Sequence, residues 1–300
     1  MMALEHLVAN TNQKGSRIGW LLWYRIADEQ TDKAVADAAF MLSALPQKYR
    51  MPDIRPVDAY RRATKSIEGR IDGLNREDKI ECLVRDVYHT KNEVVRHLVV
   101  ERCHASGRRL DYDQCAAMLM FNHTIRTIDV ELNNPEGFVA DAVRKFEANY
   151  RRYLTSYDGN AKRRTVRAVL DDLAATSLKE SGGVYLIPRQ HEELLFQLIA
   201  YVGGLNGCKA YKMPVEDTAE TRDMVRDVVT NKAQTMLSEI RAALRGGMVP
   251  EKMVQQLLEQ SRQVKREVTL YQDILKESMG TLETDVELLE AQMVNLLGQL

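Results

Sequence analysis

The most regular hydrophobic pattern in the chain lies in its last fifty residues. Apolar side chains recur at Val254, Leu257, Val264, Val268, Tyr271, Leu275, Met279, Leu282, Val286, Leu289, Met293, Leu296 and Leu300, and Ser261 completes the series. Steps of three and four residues alternate, averaging about 3.5, the period of a coiled coil. Two consecutive four-residue steps meet at Leu275, a stutter that Gly280 follows closely. Upstream, residues 217–245 carry a helical stripe of Met224, Val228, Met236, Ile240 and Leu244, opened by Asp217 and Glu220 at capping-box spacing. The short Gly-Gly-Met-Val connection before Pro250 predicts an antiparallel helical hairpin. Folded back, the first helix covers the second only to about Ser278. Residues 281–300 are left with an uncovered stripe of Leu282, Val286, Leu289, Met293, Leu296 and Leu300. Beside it stand Glu283, Asp285, Glu287 and Glu290, with no Lys or Arg after Lys276. An apolar stripe of that length is expected to leave water, which predicts self-association or a partner helix through 281–300. Two geometries are open. The arm reaches a basic surface of a neighbouring copy, such as its residues 144–167, or Gly280 breaks the helix and the arm returns to its own body.

The rest of the chain alternates between the two hydrophobic periods. Residues 17–27 are apolar on both faces, as in a central strand, with Trp20 and Trp23 expected as core anchors. Residues 32–45 have helical spacing, with Val35, Ala38, Ala39, Leu42 and Leu45 expected inside. After a proline-punctuated loop, a second helix spans 57–67 and carries Arg61, Arg62 and Lys65. Residues 80–89, 94–103, 110–121 and 125–132 follow a period of two and predict an antiparallel meander, with turns at 90–92 and at Ser106-Gly107. Joined by the tryptophan strand, these give a sheet of about five. Two helices then follow, over 134–154 and 161–177. Next comes a strand-helix-strand unit, 184–189, 190–202 and 208–213, whose second strand is expected beside its first. The fold class is therefore α+β: a mixed or antiparallel sheet body with packed helices, residues 1–215, and a long C-terminal helical hairpin or coiled coil, residues 216–300.

Composition narrows the function classes. Lys and Arg number 42 against 43 Asp and Glu, so bulk charge favours neither nucleic acid nor a membrane surface. No run of 18 apolar residues occurs, and the four cysteines lack paired spacing, so the chain reads as cytoplasmic with reduced thiols. No phosphate-binding glycine loop, dinucleotide fingerprint, HExxH or GxSxG is present. The reading leans away from an enzyme, with no catalytic residue, cofactor or metal assigned.

Three groups of residues still bear on chemistry. His89, His97, Cys103, His104, Cys115 and His123 fall close together along the meander, but without the short fixed spacings of zinc sites. Asp86, Glu101, Asp111, Asp113, Asp129 and Glu131 fall on its strands, as the acids of a metal-dependent nuclease do. Alternating charge on a solvated sheet face explains them as well. The third group, Arg144, Lys145, Arg151, Arg152, Lys162, Arg163, Arg164 and Arg167, is interleaved with Tyr150, Tyr153 and Tyr157. Arginines neutralise phosphates and tyrosines stack on bases, so this stretch is the nucleic-acid-binding reading.

Two phrases, RPVDAYRRATKSIEG at 55–69 and SGGVYLIPRQHEELL at 181–195, resemble those of an uncharacterised family found in bacterial, archaeal and phage genomes. The resemblance implies a prokaryotic or phage origin and no activity. The functional expectation is an oligomeric, non-enzymatic scaffold or interaction protein assembling through the C-terminal heptads. The alternatives are a nucleic-acid-binding protein of phage or defence function and, more remotely, a metal-dependent nuclease.

Overall fold

A computed structural model describes residues 17–72, 79–103, 110–178, 183–245 and 250–275, together with positions 284, 287, 288, 290, 291 and 294. In chain order the elements are β1 (Arg17–Arg25), β2 (Thr31–Asp32), α1 (Lys33–Ser43), a 3-10 turn (Gln47–Tyr49), α2 (Pro56–Lys65) and β3 (Gly69–Asp72). They continue with β4 (Lys79–His89), β5 (Glu93–Cys103), β6 (Leu110–Asn122), β7 (Thr127–Leu132), α3 (Gly137–Thr155), β8 (Ser156–Tyr157) and α4 (Gly159–Asp172). Last come β9 (Thr176–Ser177), β10 (Val184–Pro188), a second 3-10 turn (Arg189–His191), α5 (Glu192–Gly203), β11 (Lys209–Glu216), α6 (Ala219–Arg245) and α7 (Glu251–Leu275). The α+β class and the C-terminal helical hairpin are both present.

The chain forms two compact units. The first comprises Met1–Glu29, Ala34–Arg50 and Gly159–Leu300, and the second Gln30–Lys33 and Met51–Asp158. This division differs from the boundary expected at 215/216, because the hairpin shares a core with the first unit's sheet. That sheet has the order β11-β1-β10-β9, all antiparallel. The tryptophan strand β1 is thus separate from the meander, and it inserts between β10 and β11, which were expected side by side. Gly19 permits the close approach: a Cβ there would lie 2.2 Å from the carbonyl oxygen of Ile187. Pro214 costs the sheet nothing, since β11 is an edge strand.

On one face of this sheet, Leu21, Leu186 and Val215 meet Val225, Val229 and Ala233 of α6 and Val264, Val268 and Tyr271 of α7. The α7 residues are those of the heptad seam. On α6 the buried line runs one residue on from the expected one at Met224 and Val228. The α6 cap is also displaced: Thr218 and Thr221 cap each other's backbone N–H reciprocally, while Asp217 binds Arg222. On the other face Trp20 packs edge-on against Phe196 of α5. Trp23 corrects the expectation of two buried anchors. It is 38% exposed and stacks on Tyr211.

The second unit is the expected meander with one more strand, in the order β3-β4-β5-β6-β7. Ser106-Gly107, the expected second turn, lies outside the described residues. One sheet face packs on α2 and α3 through Tyr60, Leu98, Ala117, Leu119, Phe121 and Phe146, and the Tyr60 hydroxyl donates to the Leu119 carbonyl at 2.9 Å. A short β2–β8 ladder completes the unit.

Candidate functional site

In the first unit, ionisable side chains from several segments gather around Asp172, a residue with no sequence motif. Four segments build it. The 3-10 turn after α1 brings Lys48 and Tyr49, whose Nζ and Oη each donate to Asp172 Oδ2 at 2.6 Å. Helix α4 ends there, and Ala174 follows in the left-handed region at φ 48°. The Ala175 N–H bonds back to the Leu170 carbonyl and Ala174 N–H to Asp171, a C-terminal cap in which alanine takes the place usually held by glycine. The turn between β10 and α5 contributes Gln190 and His191, and α7 contributes Arg266 and Glu267. Two hollows meet here, of about 250 and about 570 Å³, sharing Asp172, Gln190 and His191 in their walls.

Electrostatics tune the cleft. The hydrogen bonds from Lys48 and Tyr49, with the charge of Arg266 nearby, hold the Asp172 carboxyl below its ordinary value. Burial pushes His191 down, so the imidazole is neutral at pH 7, although the Asp172 charge opposes the shift. Glu267 is 2% exposed. Lys232 of α6 grips both its carboxylate oxygens at 2.7 and 2.5 Å, and Thr176 donates a third bond at 3.3 Å. Acids and bases are mixed, and Asp172 and Glu267 are paired with lysines, so the cleft offers hydrogen bonds of both kinds to a polar ligand.

The eight basic residues of the nucleic-acid reading are dispersed. The boundary between the units falls inside the stretch, at Asp158/Gly159. On α3, Arg144, Lys145, Arg151 and Arg152 are exposed; Arg144 pairs with Asp141 and Arg151 with Glu147. On α4, Lys162 is fully buried and donates to the Glu29 carbonyl at 2.7 Å, which removes it from any nucleic-acid surface. Arg163 binds Asp28, Asn160 and the Ile26 carbonyl, whereas Arg164 and Arg167 are exposed. Tyr150 and Tyr157 are buried, so neither is free to stack on a base. Tyr153 lies beneath the guanidinium groups of Arg62 and Arg152.

Several acids and histidines of the meander are likewise engaged, and His104 lies outside the described residues. Asp86 pairs with Arg96, and Asp113 accepts from Asn134 at 2.8 Å and from the Cys115 N–H. Asp111, Asp113 and Glu136 border a hollow of about 170 Å³, in which Arg102 holds both oxygens of Glu136 at 3.0 Å. His89 and His123 have ring centroids 6.4 Å apart. Among the described residues, no three His, Cys, Asp or Glu side chains are placed to hold a metal ion.

The stripe Leu282, Val286, Leu289, Met293, Leu296 and Leu300 lies outside the described residues. Its neighbours are informative. Glu287 pairs with Lys265 at 2.8 Å and Glu290 with Arg262 at 3.1 Å, so this part of the tail runs antiparallel along α7 of its own chain. Two of the acids that the sequence leaves unbalanced are therefore balanced in cis, and Gly280 lies outside the described residues.

A model of a family of unknown function, DUF6744, matches residues 17–300. The chain belongs to that family. No curated protein and no solved structure matches it. The match spans both units, and one of the two phrases behind the sequence resemblance, residues 181–195, includes Gln190 and His191 of the cleft. Sequence reasoning did not find the cleft, because its four segments are remote along the chain and none bears a recognisable spacing. Among the described residues, no helix is long and apolar enough to cross a membrane.

Proposed function

We propose that the chain is a non-enzymatic interaction protein that assembles, with itself or with a partner helix, through its C-terminal helical layer. The observation that carries this reading is the outward row of the returning tail. Leu288, Ala291 and Val294, spaced three residues apart, are all exposed and follow Glu287, which with Glu290 ties the same segment to α7. Apolar side chains in a row on a polar helical layer suit a helix-to-helix contact. The absence of a disulfide at any of the four cysteines agrees with a cytoplasmic location in a prokaryotic or phage-infected cell. Sedimentation of the full chain, of a chain ending at Gly280 and of a Leu288→Glu, Val294→Glu variant tests the reading. Assembly of the full chain that both changes weaken is expected; equal assembly in all three rejects the tail as the contact.

A second reading, nucleic-acid binding, is favoured by one observation: Arg144, Lys145, Arg151 and Arg152 all stand exposed along α3. Here DNA and RNA binding is measured across a salt series. Reversing Arg151 and Arg152 to Glu should weaken binding and flatten its salt dependence. Unchanged affinity and slope reject α3 as the binding surface.

A further inference from the structure

We propose that the outward face of α1 is a self-association surface, at which two copies pack their α1 helices antiparallel about a two-fold axis near Ala38. This inference does not rest on the C-terminal reading. The inward face of α1 is fully used: Ala36, Ala39, Phe40 and Ser43 are buried, and Phe40 meets Tyr201 edge-on at 6.1 Å. The packing is close, for a Cβ on Gly204 would stand 2.7 Å from that of Ala39. The outward face consists of Ala34, Val35, Ala38, Met41 and Leu42, all exposed, with Met41 at 80% and Leu42 at 87%. No charged residue interrupts it. A helix that is apolar on both sides is built to be covered on both, and contiguous apolar surface of this kind marks a contact.

Shape and charge identify a second copy as the cover. The small residues Ala34, Val35 and Ala38 occupy the first half of the face and the large Met41 and Leu42 the second. An antiparallel two-fold pair sets large against small at both ends and brings Ala38 close to its own symmetry mate. Beside Met41 lies a hollow of about 580 Å³, walled by Phe40, Ala44 and Leu45. A ridge and a hollow on one patch satisfy the rule of an isologous interface, in which the same surface must complement itself. The hollow is rimmed by Asp37 and Arg50, paired at 3.2 Å. One charge of each sign lets the symmetry mate present the opposite sign, where a rim of one sign would repel. A face of about three helical turns is smaller than the roughly 800 Å² per partner of a stable complex, so the dimer is expected to dissociate in the micromolar range.

Sedimentation across the micromolar range tests the proposal, comparing the full-length Leu288→Glu, Val294→Glu variant with the same protein carrying Leu42→Glu as well. The expected result is a concentration-dependent dimer for the first and a monomer for the second, with unchanged circular dichroism, since residue 42 touches solvent. In the full chain, Ala38→Cys should crosslink to twice the chain mass under mild oxidation, beyond whatever the four native cysteines give; Val87→Cys, exposed on the second unit, should not. A monomeric Leu288→Glu, Val294→Glu variant, or a Leu42→Glu protein that associates like its parent, overturns the proposal whatever else then covers α1. Because both proteins carry the altered tail, failure of the C-terminal reading leaves this outcome unaffected.

Discussion

Asp172 shows how a single side chain can bind remote segments together. Its partners lie more than a hundred residues away, at Lys48 and Tyr49, and their hydrogen bonds favour the charged carboxylate. A carboxyl whose native pKa is lowered adds stability that is complete above its unfolded value, about 3.9, and is lost as pH falls through the native value. Asp172→Asn is therefore expected to cost stability at neutral pH and to converge with the parent chain in acid. Because the side chain is about half exposed, the cost should stay near 1 kcal/mol. The neighbouring His191 adds a second, separate window. Its native pKa is lowered by burial, so its neutral form is stabilised; stability is full above about pH 6.5 and declines as pH falls toward the native value. His191→Gln should remove that decline. Urea midpoints at a series of pH values measure both, and coincident profiles for all three proteins would refute the account. None of this was legible in the sequence, where Asp172 is one of many acids on helix surfaces.

At the scale of elements, the heptad pattern located α7 well because its seam is buried on one face, against α6 and the sheet. Residues 32–45 were harder to orient. Val35, Ala38 and Leu42 share a face at helical spacing, yet Phe40 and Ala36 lie across from them, and α1 turns that second apolar face inward. Periodicity identifies a helix with two apolar faces but cannot rank them. The strand pattern failed for a related reason at β1, where an all-apolar strand gives no hint of which neighbours flank it. Between α6 and α7 a different device operates, the contact of Lys232 with buried Glu267. Removing one member leaves the other charge uncompensated, at a cost of about 3 kcal/mol. Lys232→Met should show that loss by chemical denaturation, and pairing it with Glu267→Met should recover most of it. A double variant no more stable than Lys232→Met would mean that Glu267 matters chiefly through Thr176. Tyr271, whose buried hydroxyl meets no hydrogen-bond partner among the described residues, should tolerate Phe without loss.

For the whole molecule the decisive feature is the division into two units, each with its own apolar core. Both tryptophans belong to β1 in the first unit. Tryptophan fluorescence therefore follows that unit alone, while far-ultraviolet circular dichroism follows both. Thermal melts by the two methods are expected to differ in midpoint; coincident curves, with equal calorimetric and van't Hoff enthalpies, would show that the units unfold together. The meander was readable because its strands are neighbours in sequence. The first unit was not, because residues 51–158 separate β1 from its partner strands β10 and β11, and α1 from α5. That separation matters during synthesis. By the time Asp158 leaves the ribosome, the second unit is complete and can fold, whereas β1 still lacks β10 and β11, which pair with Trp20 through Ile187 and Pro214. An apolar strand waiting through nearly two hundred codons is an open edge for any other nascent chain to pair with. Slow growth at low temperature or an early chaperone is therefore expected to govern how much soluble protein a cell yields.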